Sequence, residues 1–243
     1  MKIAVISDIH GNLEALNTVL ECLEKDIEKI ICLGDIVGYG PNPKECCDII
    51  REKDIYSLCG NHDAACFDDS LIDYFNPYAR EAIIWTRFQL TDEYVSFLKG
   101  LPFEGFLHGF RVVHGAPGSP FDYIMTSSDA REAFLSFGED LCFIGHSHIM
   151  EFYEQKKGHP LVRQLPLRNQ QELVIEDDKR YIINVGSVGQ PRDRDPRAGY
   201  IVYDTEAKVI KAYRVEYRID IVQRKMQLKG LPPILWERLE LGR

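Results

Sequence analysis

The 243-residue sequence contains no Cys-x-x-Cys pair, and its seven cysteines are an odd number. That pattern argues against a disulfide framework and against a structural zinc site. Cys32, Cys59 and Cys142 lie in apolar, strand-like runs and read as small core residues, while Cys22, Cys46 and Cys47 fall in predicted helices. Cys66 alone stands near a polar motif, where packing outweighs reactivity. Positive charge is also scarce: 29 Lys and Arg face 38 Asp and Glu, for a net charge of -9. A broad grip on a nucleic-acid backbone needs clustered basic side chains, so extended nucleic-acid binding is not expected and any anionic substrate must be attracted locally. No apolar run is long enough to span a bilayer, and KIAVIS opens the sequence without the basic and apolar regions of a secretory leader. A cytoplasmic, reducing setting is the expectation. Internal repeats, low-complexity segments and a visible domain boundary are absent too, which suggests one domain over residues 1–243.

What is present is a regular alternation. KIAVIS precedes a helix from about Asn12, with Leu13, Leu16, Leu20 and Leu23 on one stripe; KIICLG precedes a second helix, announced by Asn42-Pro43-Lys44-Glu45 and running to about Lys53; IYSLCG is a third strand. A βαβαβ order implies parallel strands, whose functional residues lie just beyond their carboxyl ends. Residues 64–100 change to helices without strands, with Thr91 as a helix cap, and read as a lid insertion. RVVHG, LCFIGH, LVIED, RYIINVG, YIVYD and VIKAYRVEY then give a second set of strands, with a helix near 129–137 and an exposed loop or hairpin from about 154 to 178.

The strand ends carry the chemistry. Asp8-Ile9-His10 follows the first strand, Gly34-Asp35 the second, Gly60-Asn61-His62-Asp63 the third, His114-Gly115 the next, and Gly145-His146-Ser147-His148 the run LCFI. Five of the seven histidines would thus meet aspartates and an asparagine on one edge. Each cluster alone is weak, since a histidine beside a strand is more often structural than a ligand. Their shared position after apolar strands is what points to a site. Oxygen and imidazole donors without thiolates suit Mn, Fe, Co, Ni or Zn in open coordination. The Asp8-x-His10 and His146-x-His148 spacings send two donors of one segment to the same side.

Taken in order, Asp8-x-His10, Gly34-Asp35, Gly60-Asn61-His62-Asp63, His114 and Gly145-His146-x-His148 resemble the five signature blocks of the calcineurin-like metallophosphoesterases. GDIVGYGPNP, FNPYAREA and NVGSVGQPRD are similar to a branch of small prokaryotic phosphoesterases described as phosphodiesterase-like or diadenosine-tetraphosphatase-like, up to about Tyr217. The resemblance implies a four-layer αββα sandwich of two mixed sheets flanked by helices, and a dinuclear-metal-dependent phosphoesterase, either a phosphodiesterase or an enzyme of nucleotide-type esters. It also implies that Asp8, His10, Asp35 and His148 hold one ion and Asp35, Asn61, His114 and His146 the other. Manganese comes first among the candidate ions. Two such ions about 3.5 to 4 Å apart would activate a bridging hydroxide and polarise the phosphoryl oxygens. His62 would stay off the metals and protonate the leaving oxygen or stabilise its charge, with Asp63 as a candidate orienting partner. His108 and His159 have no counterpart.

One departure matters. The family's protein phosphatases and diadenosine tetraphosphatases usually read GDxxDRG at the second block, where the arginine helps hold phosphate; here the block is Gly34-Asp35-Ile36-Val37-Gly38-Tyr39-Gly40. A substitute anion clamp is expected from the loop after RYIINVG, with Arg192 first among Arg192, Arg194 and Arg197; Tyr39 either faces the substrate or caps its turn. Pairing of these arginines with Asp193 and Asp195 is the competing reading. Phe67, Tyr74, Phe75, Tyr78 and Trp85 of the lid offer surfaces for a nucleobase, against ordinary helix packing. A small phosphorylated substrate fits best, and oligomeric state is left open. The competing functions are a binding scaffold of the same fold, which has no need for His62, and a nuclease, which would bring a further domain and basic surface.

Overall fold

The structure, a computed structural model, describes residues 1–243. The chain runs β1 (Lys2–Ile6), α1 (Leu13–Cys22), β2 (Ile27–Cys32), α2 (Pro43–Glu52), β3 (Tyr56–Ser57) and a one-turn α3 (Asn61–Ala64). A 3-10 turn (Asp69–Tyr74), α4 (Pro77–Gln89) and α5 (Asp92–Lys99) follow without a strand, in the stretch expected to be helical. Then come β4 (Glu104–Leu107), β5 (Phe110–Val113), α6 (Ser127–Ala133), β6 (Leu141–Ile144), β7 (Met150–Lys156), β8 (Val162–Pro166), β9 (Glu172–Val174) and β10 (Lys179–Val185). β11 (Ala198–Asp204), β12 (Val209–Val215), α7 (Ile219–Leu228), α8 (Pro233–Glu237) and a 3-10 turn (Arg238–Leu241) complete it.

Two six-stranded sheets result, ordered β3-β2-β1-β11-β12-β9 and β4-β5-β6-β10-β7-β8. Both are mixed. β1, β2 and β3 are parallel in the first, as are β5, β6 and β10 in the second, while the remaining pairs are antiparallel. Strand alternation explains the layers. Ile3 and Val5 face the core between the sheets, against Phe143, Ile183 and Val185, whereas Ala4 and Ile6 face α1 and α2 through Leu16, Val19, Cys46 and Ile50. On the second sheet Cys142, Ile144 and Ile182 pack under Phe134 and Phe137 at the end of α6. Strands covered on both faces need apolar side chains at every position, hence the unbroken runs KIAVI and LCFI. This is the αββα sandwich that the family resemblance implied.

Helix starts follow local chemistry. Asn12 caps α1 by accepting from the Ala15 amide at 3.1 Å. Pro43 opens α2 as predicted, but Asn42 makes no cap bond: its amide donates to Glu45 Oε1 at 2.9 Å and its Oδ1 accepts from Lys225 Nζ at 3.1 Å. β3 is shorter than IYSLCG suggested, because the Cys59 amide turns away to Pro102 O. The stretch beyond Tyr217, which carries no motif, folds into α7, α8 and the last turn; Val222, Met226, Leu235 and Leu239 pack with Ala79 and Ala82 of α4 around Tyr39. No helix is long and apolar enough to cross a membrane.

Candidate metal and active site

The carboxyl ends of β1, β2, β3, β5 and β6 open onto one edge, and the loops leaving them are stitched together by backbone. The Asp8 amide donates to Gly34 O at 3.0 Å, the His10 amide to Asp35 O at 2.8 Å, and the Gly145 amide to His114 O at 2.8 Å. Asp8, His10, Asp35, His146 and His148 all have positive φ, between 51° and 65°. The convergence of Asp8 with His10, and of His146 with His148, is therefore not the side-to-side alternation of a strand. The strands have already ended, and left-handed turns fold each pair back toward the edge.

Each aspartate divides its two oxygens. Asp8 Oδ2 accepts from the His146 amide at 3.0 Å and Asp35 Oδ1 from the His62 amide at 2.8 Å. Asp8 Oδ1 and Asp35 Oδ2 are buried without a hydrogen-bond partner, and so are Asn61 Oδ1 and His146 Nε2. Four polar atoms orphaned at one place are a cost the fold does not carry without a purpose.

The histidines sharpen the argument. His10 Nδ1 donates to Val37 O at 3.2 Å and His148 Nδ1 to Gln190 O at 2.6 Å, which turns both Nε2 lone pairs inward. Burial holds both rings below the ordinary imidazole range, which favours the neutral form with Nε2 unprotonated. Yet these two nitrogens lie 3.1 Å apart. Two facing lone pairs at that distance repel unless a cation lies between them, and ligands about 2.1 Å from one ion at a right angle are about 3.0 Å apart. His114 Nε2 and His146 Nδ1 repeat the spacing, again at 3.1 Å, while His114 Nδ1 donates to Leu33 O at 3.0 Å. Burial pushes His146 down to about 3; for His114, burial is overcome by the Asp35 charge, which lies 3.3 Å away and raises it to about 9. The donors thus form two groups, Asp8-His10-His148 and Asp35-His114-His146, with His148 Nε2 3.2 Å from Asp8 Oδ1 and His10 Nε2 3.6 Å from Asp35 Oδ2.

His62 lies on α3, enclosed by the rings of Tyr39, Phe75 and His10 at 4.4, 4.7 and 4.8 Å. Burial pushes its imidazole down to about 4, against the opposing pull of Asp35. A ring nitrogen of His62 also comes within 4.8 Å of a ring nitrogen of His10 and a carboxylate oxygen of Asp35. Asp63, expected to orient His62, does not reach its ring. Its carboxylate accepts from the amides of Ile36 at 3.2 Å, Val37 at 3.0 Å and Gly60 at 3.1 Å, fixing the second and third loops to each other. Burial and the Asp35 charge push Asp63 up to about 7 against those three amides.

A cavity of about 590 Å³ opens over this cluster. Asn61, His62 and His146 of the cluster line it together with Tyr39, Arg192, Tyr74 and Phe75.

Residues 1–208 match the calcineurin-like phosphoesterase superfamily domain. The chain belongs to that superfamily. It is 42% identical to an uncharacterized protein of Methanocaldococcus jannaschii, over 99% of this chain and 98% of that one. A metallophosphoesterase crystal structure from Sphaerobacter thermophilus is 40% identical, with a TM-score of 0.88 covering 100% of this chain and 99% of that one. A hypothetical protein from Pyrococcus horikoshii OT3 shares the fold at 22% identity and a TM-score of 0.79, over 100% and 98% of the two chains.

The block around Tyr39 has no arginine, and Arg192 lines the cavity beside it. Arg192 Nη2 donates to Tyr39 Oη at 3.4 Å and to Gln190 Oε1 at 3.2 Å, with no carboxylate within reach. The surface pairing considered for this loop is real for its neighbours: Arg197 binds Asp195 at 2.7 Å, and Asp193 pairs with Arg214. Arg194 is exposed and stays out of the cavity. Of the lid aromatics, Tyr74 and Phe75 line the cavity; Phe67 packs on the outer core, Trp85 on the C-terminal helices, and Tyr78 is exposed. His108 is a surface residue whose Nε2 meets Lys29 Nζ, and His159 is exposed as well. Several cavity residues were not read from the sequence, Tyr123, Phe121 and Arg238 among them. Tyr123 stacks on His146 with ring centroids 3.8 Å apart, Phe121 lies beside it, and Arg238 reaches in from the last turn. No motif surrounds them; the apolar spacing Leu231, Leu235, Leu239 was the one signal that the last turn packs inward.

Proposed function

We propose that the protein is a hydrolase of small phosphate esters dependent on two divalent transition-metal ions, manganese first among them. Asp8, His10, Asp35 and His148 would hold one ion and Asp35, Asn61, His114 and His146 the other. When bound, such ions polarise phosphoryl oxygens and supply an activated water nucleophile. The observation that carries this reading is the pair of neutral, inward-facing His10 and His148 nitrogens 3.1 Å apart, beside carboxylate oxygens left without partners.

The protein's own groups have distinct tasks. Asp63 ties the loops that carry Asp35 and His62, and the backbone carbonyls of Val37, Leu33 and Gln190 fix three imidazole tautomers. His62 faces the cavity as a neutral ring, so it can donate an N–H to the leaving oxygen, and an incoming phosphate anion raises its basicity. Arg192 and Tyr39 orient the phosphate from the wall. A cavity of about 590 Å³ takes a nucleotide-sized molecule rather than a polymer. Two finer readings follow from the family, a phosphodiesterase and a nucleotide-type phosphoesterase. A scaffold would leave this cavity and the ring that lines it without a task.

The test is elemental analysis of purified protein together with a hydrolysis panel of p-nitrophenyl phosphate, bis(p-nitrophenyl) phosphate, nucleotides and DNA with added Mn. Metal-dependent turnover of small esters is expected. A protein that binds two ions but hydrolyses nothing on the panel would return the fold to the scaffold reading.

A further inference from the structure

Arg238 lies outside the matched domain, which ends at residue 208, yet its side chain lines the cavity. Its Nη2 donates to Gln190 Oε1, the same oxygen that accepts from Arg192 Nη2. Both guanidinium groups stand by one aromatic ring, with Arg192 Cζ 5.7 Å and Arg238 Cζ 4.9 Å from the Tyr39 centroid. Neither arginine has a carboxylate within 4 Å, and the Nε atoms of both are buried without a partner. Asp122, the one carboxylate lining the cavity, makes no ion pair with either.

Two cations held side by side repel each other. Here the two share only neutral partners, the Gln190 amide oxygen and the Tyr39 side chain, which are weak substitutes for an anion. Gln190 is itself tied to the metal-binding loops, because its carbonyl accepts from His148 Nδ1 at 2.6 Å and its amide donates to Ser187 Oγ at 2.8 Å. The guanidinium pair is therefore anchored to the edge where the donor groups converge, and faces the same cavity.

We infer that Arg192 and Arg238 form one subsite for a doubly charged phosphate group, so that the protein acts on a phosphomonoester or a terminal phosphate in preference to a diester. Two guanidinium groups can reach two different oxygens of one phosphate, and a diester offers only one negative charge to share between them. Arg238 is then a specificity residue delivered by the C-terminal helices, packed in place by Leu235 and Leu239. This rests on the phosphoesterase reading, and the experiment separates the two.

Arg238→Ala and Arg238→Lys are compared with the unaltered protein on p-nitrophenyl phosphate and bis(p-nitrophenyl) phosphate, with metal content and melting temperature measured alongside. Arg238→Ala should lower kcat/KM for the monoester by about 10- to 100-fold, the size of one charge-assisted hydrogen bond, and for the diester by less than about 3-fold. Arg238→Lys should recover part of the loss, with metal content unchanged. A second readout needs no catalysis: inorganic phosphate titrated calorimetrically into the protein as purified at pH 8 should bind about tenfold more weakly to Arg238→Ala, while dimethyl phosphate distinguishes no variant. Equal losses on both esters, or none on either, together with phosphate binding that ignores Arg238, would overturn the subsite. Arg238-dependent phosphate binding in a protein that hydrolyses neither ester would sustain the subsite and refute the phosphoesterase reading.

Discussion

Gly38 is the residue at which the place of His62 can be tested without touching the ring. Its φ is +93°, and a Cβ built there would lie 2.5 Å from His62 Nδ1 and 2.9 Å from Cγ. An ordinary contact begins near 3.4 Å, so in Gly38→Ala the ring must retreat by about 0.9 Å. It has little room to do so, being enclosed by Tyr39, Phe75 and His10 at ring distances of 4.4 to 4.8 Å. A displacement near 1 Å of a group that must meet a leaving oxygen is expected to cost about 10²-fold in kcat. The unfavourable φ and the crowding should cost a further ~1–3 kcal/mol of stability. Steady-state kinetics, elemental analysis and thermal melting of one preparation read all three effects. The expected result is a large fall in kcat with both ions retained and a lowered Tm. A Gly38→Ala protein of lowered Tm and undiminished kcat would refute the reasoning, since the ring would have moved without consequence.

The other predictions address the remaining groups. His62→Ala should lower kcat by about 10²- to 10⁴-fold while keeping both ions, and loss of metal by elemental analysis would make His62 a ligand, as its approach to His10 and Asp35 allows. Asp35→Asn should remove most bound metal and most activity, because Asp35 is the one side chain assigned to both ions, whereas His148→Ala should release one ion in preference to the other; full occupancy in Asp35→Asn would contradict the assignment. Asp63→Ala should destabilise the fold by about 2–4 kcal/mol in urea titration, since three buried amides lose their acceptor at once. Arg192→Ala should raise KM or lower kcat/KM for small phosphate esters with metal content unchanged, and unchanged kinetics would return that loop to a purely structural role. Chelation of the ions should lower Tm but leave the far-ultraviolet circular dichroism intact, a thousandfold excess over Kd contributing ~4 kcal/mol; unfolding on chelation would show that the ions, not the sheets, hold the loops.

What could be read from the amino-acid order follows from burial. Parallel strands covered on both faces leave unbroken apolar runs, and the polar residues that interrupt them are those at the strand ends, so Asp8, Asp35, Asn61, His114 and His146 were all legible as one edge. The role of Asp63 was not, because its carboxylate serves backbone amides 26 and 27 residues away as well as the nearby Gly60, and sequence neighbourhood favours the adjacent ring instead. Arg238 was hidden for a related reason. Its partner Gln190 is 48 residues distant, and the segment that brings them together is held by apolar packing rather than by a motif.

The backbone explains why the site depends on so much of the fold. Of the eleven non-glycine residues with positive φ, six are Asp8, His10, Asp35, Tyr39, His146 and His148. At about 1 kcal/mol or more each, the six together amount to several kcal/mol, comparable with the net stability of a whole domain. Such turns persist only where the surroundings over-determine them. Here they do: the Gly40 amide donates to His10 O at 2.9 Å, the Gly189 amide to Asp8 O at 2.9 Å and the Val188 amide to Ser7 O at 2.9 Å, so loops from both sheets hold one another in the left-handed form. An extended chain would carry donors two residues apart onward along the strand direction, past the edge. A left-handed turn after the strand keeps both at the edge, which is why each Asp-x-His or His-x-His segment can serve a single small volume between two sheets.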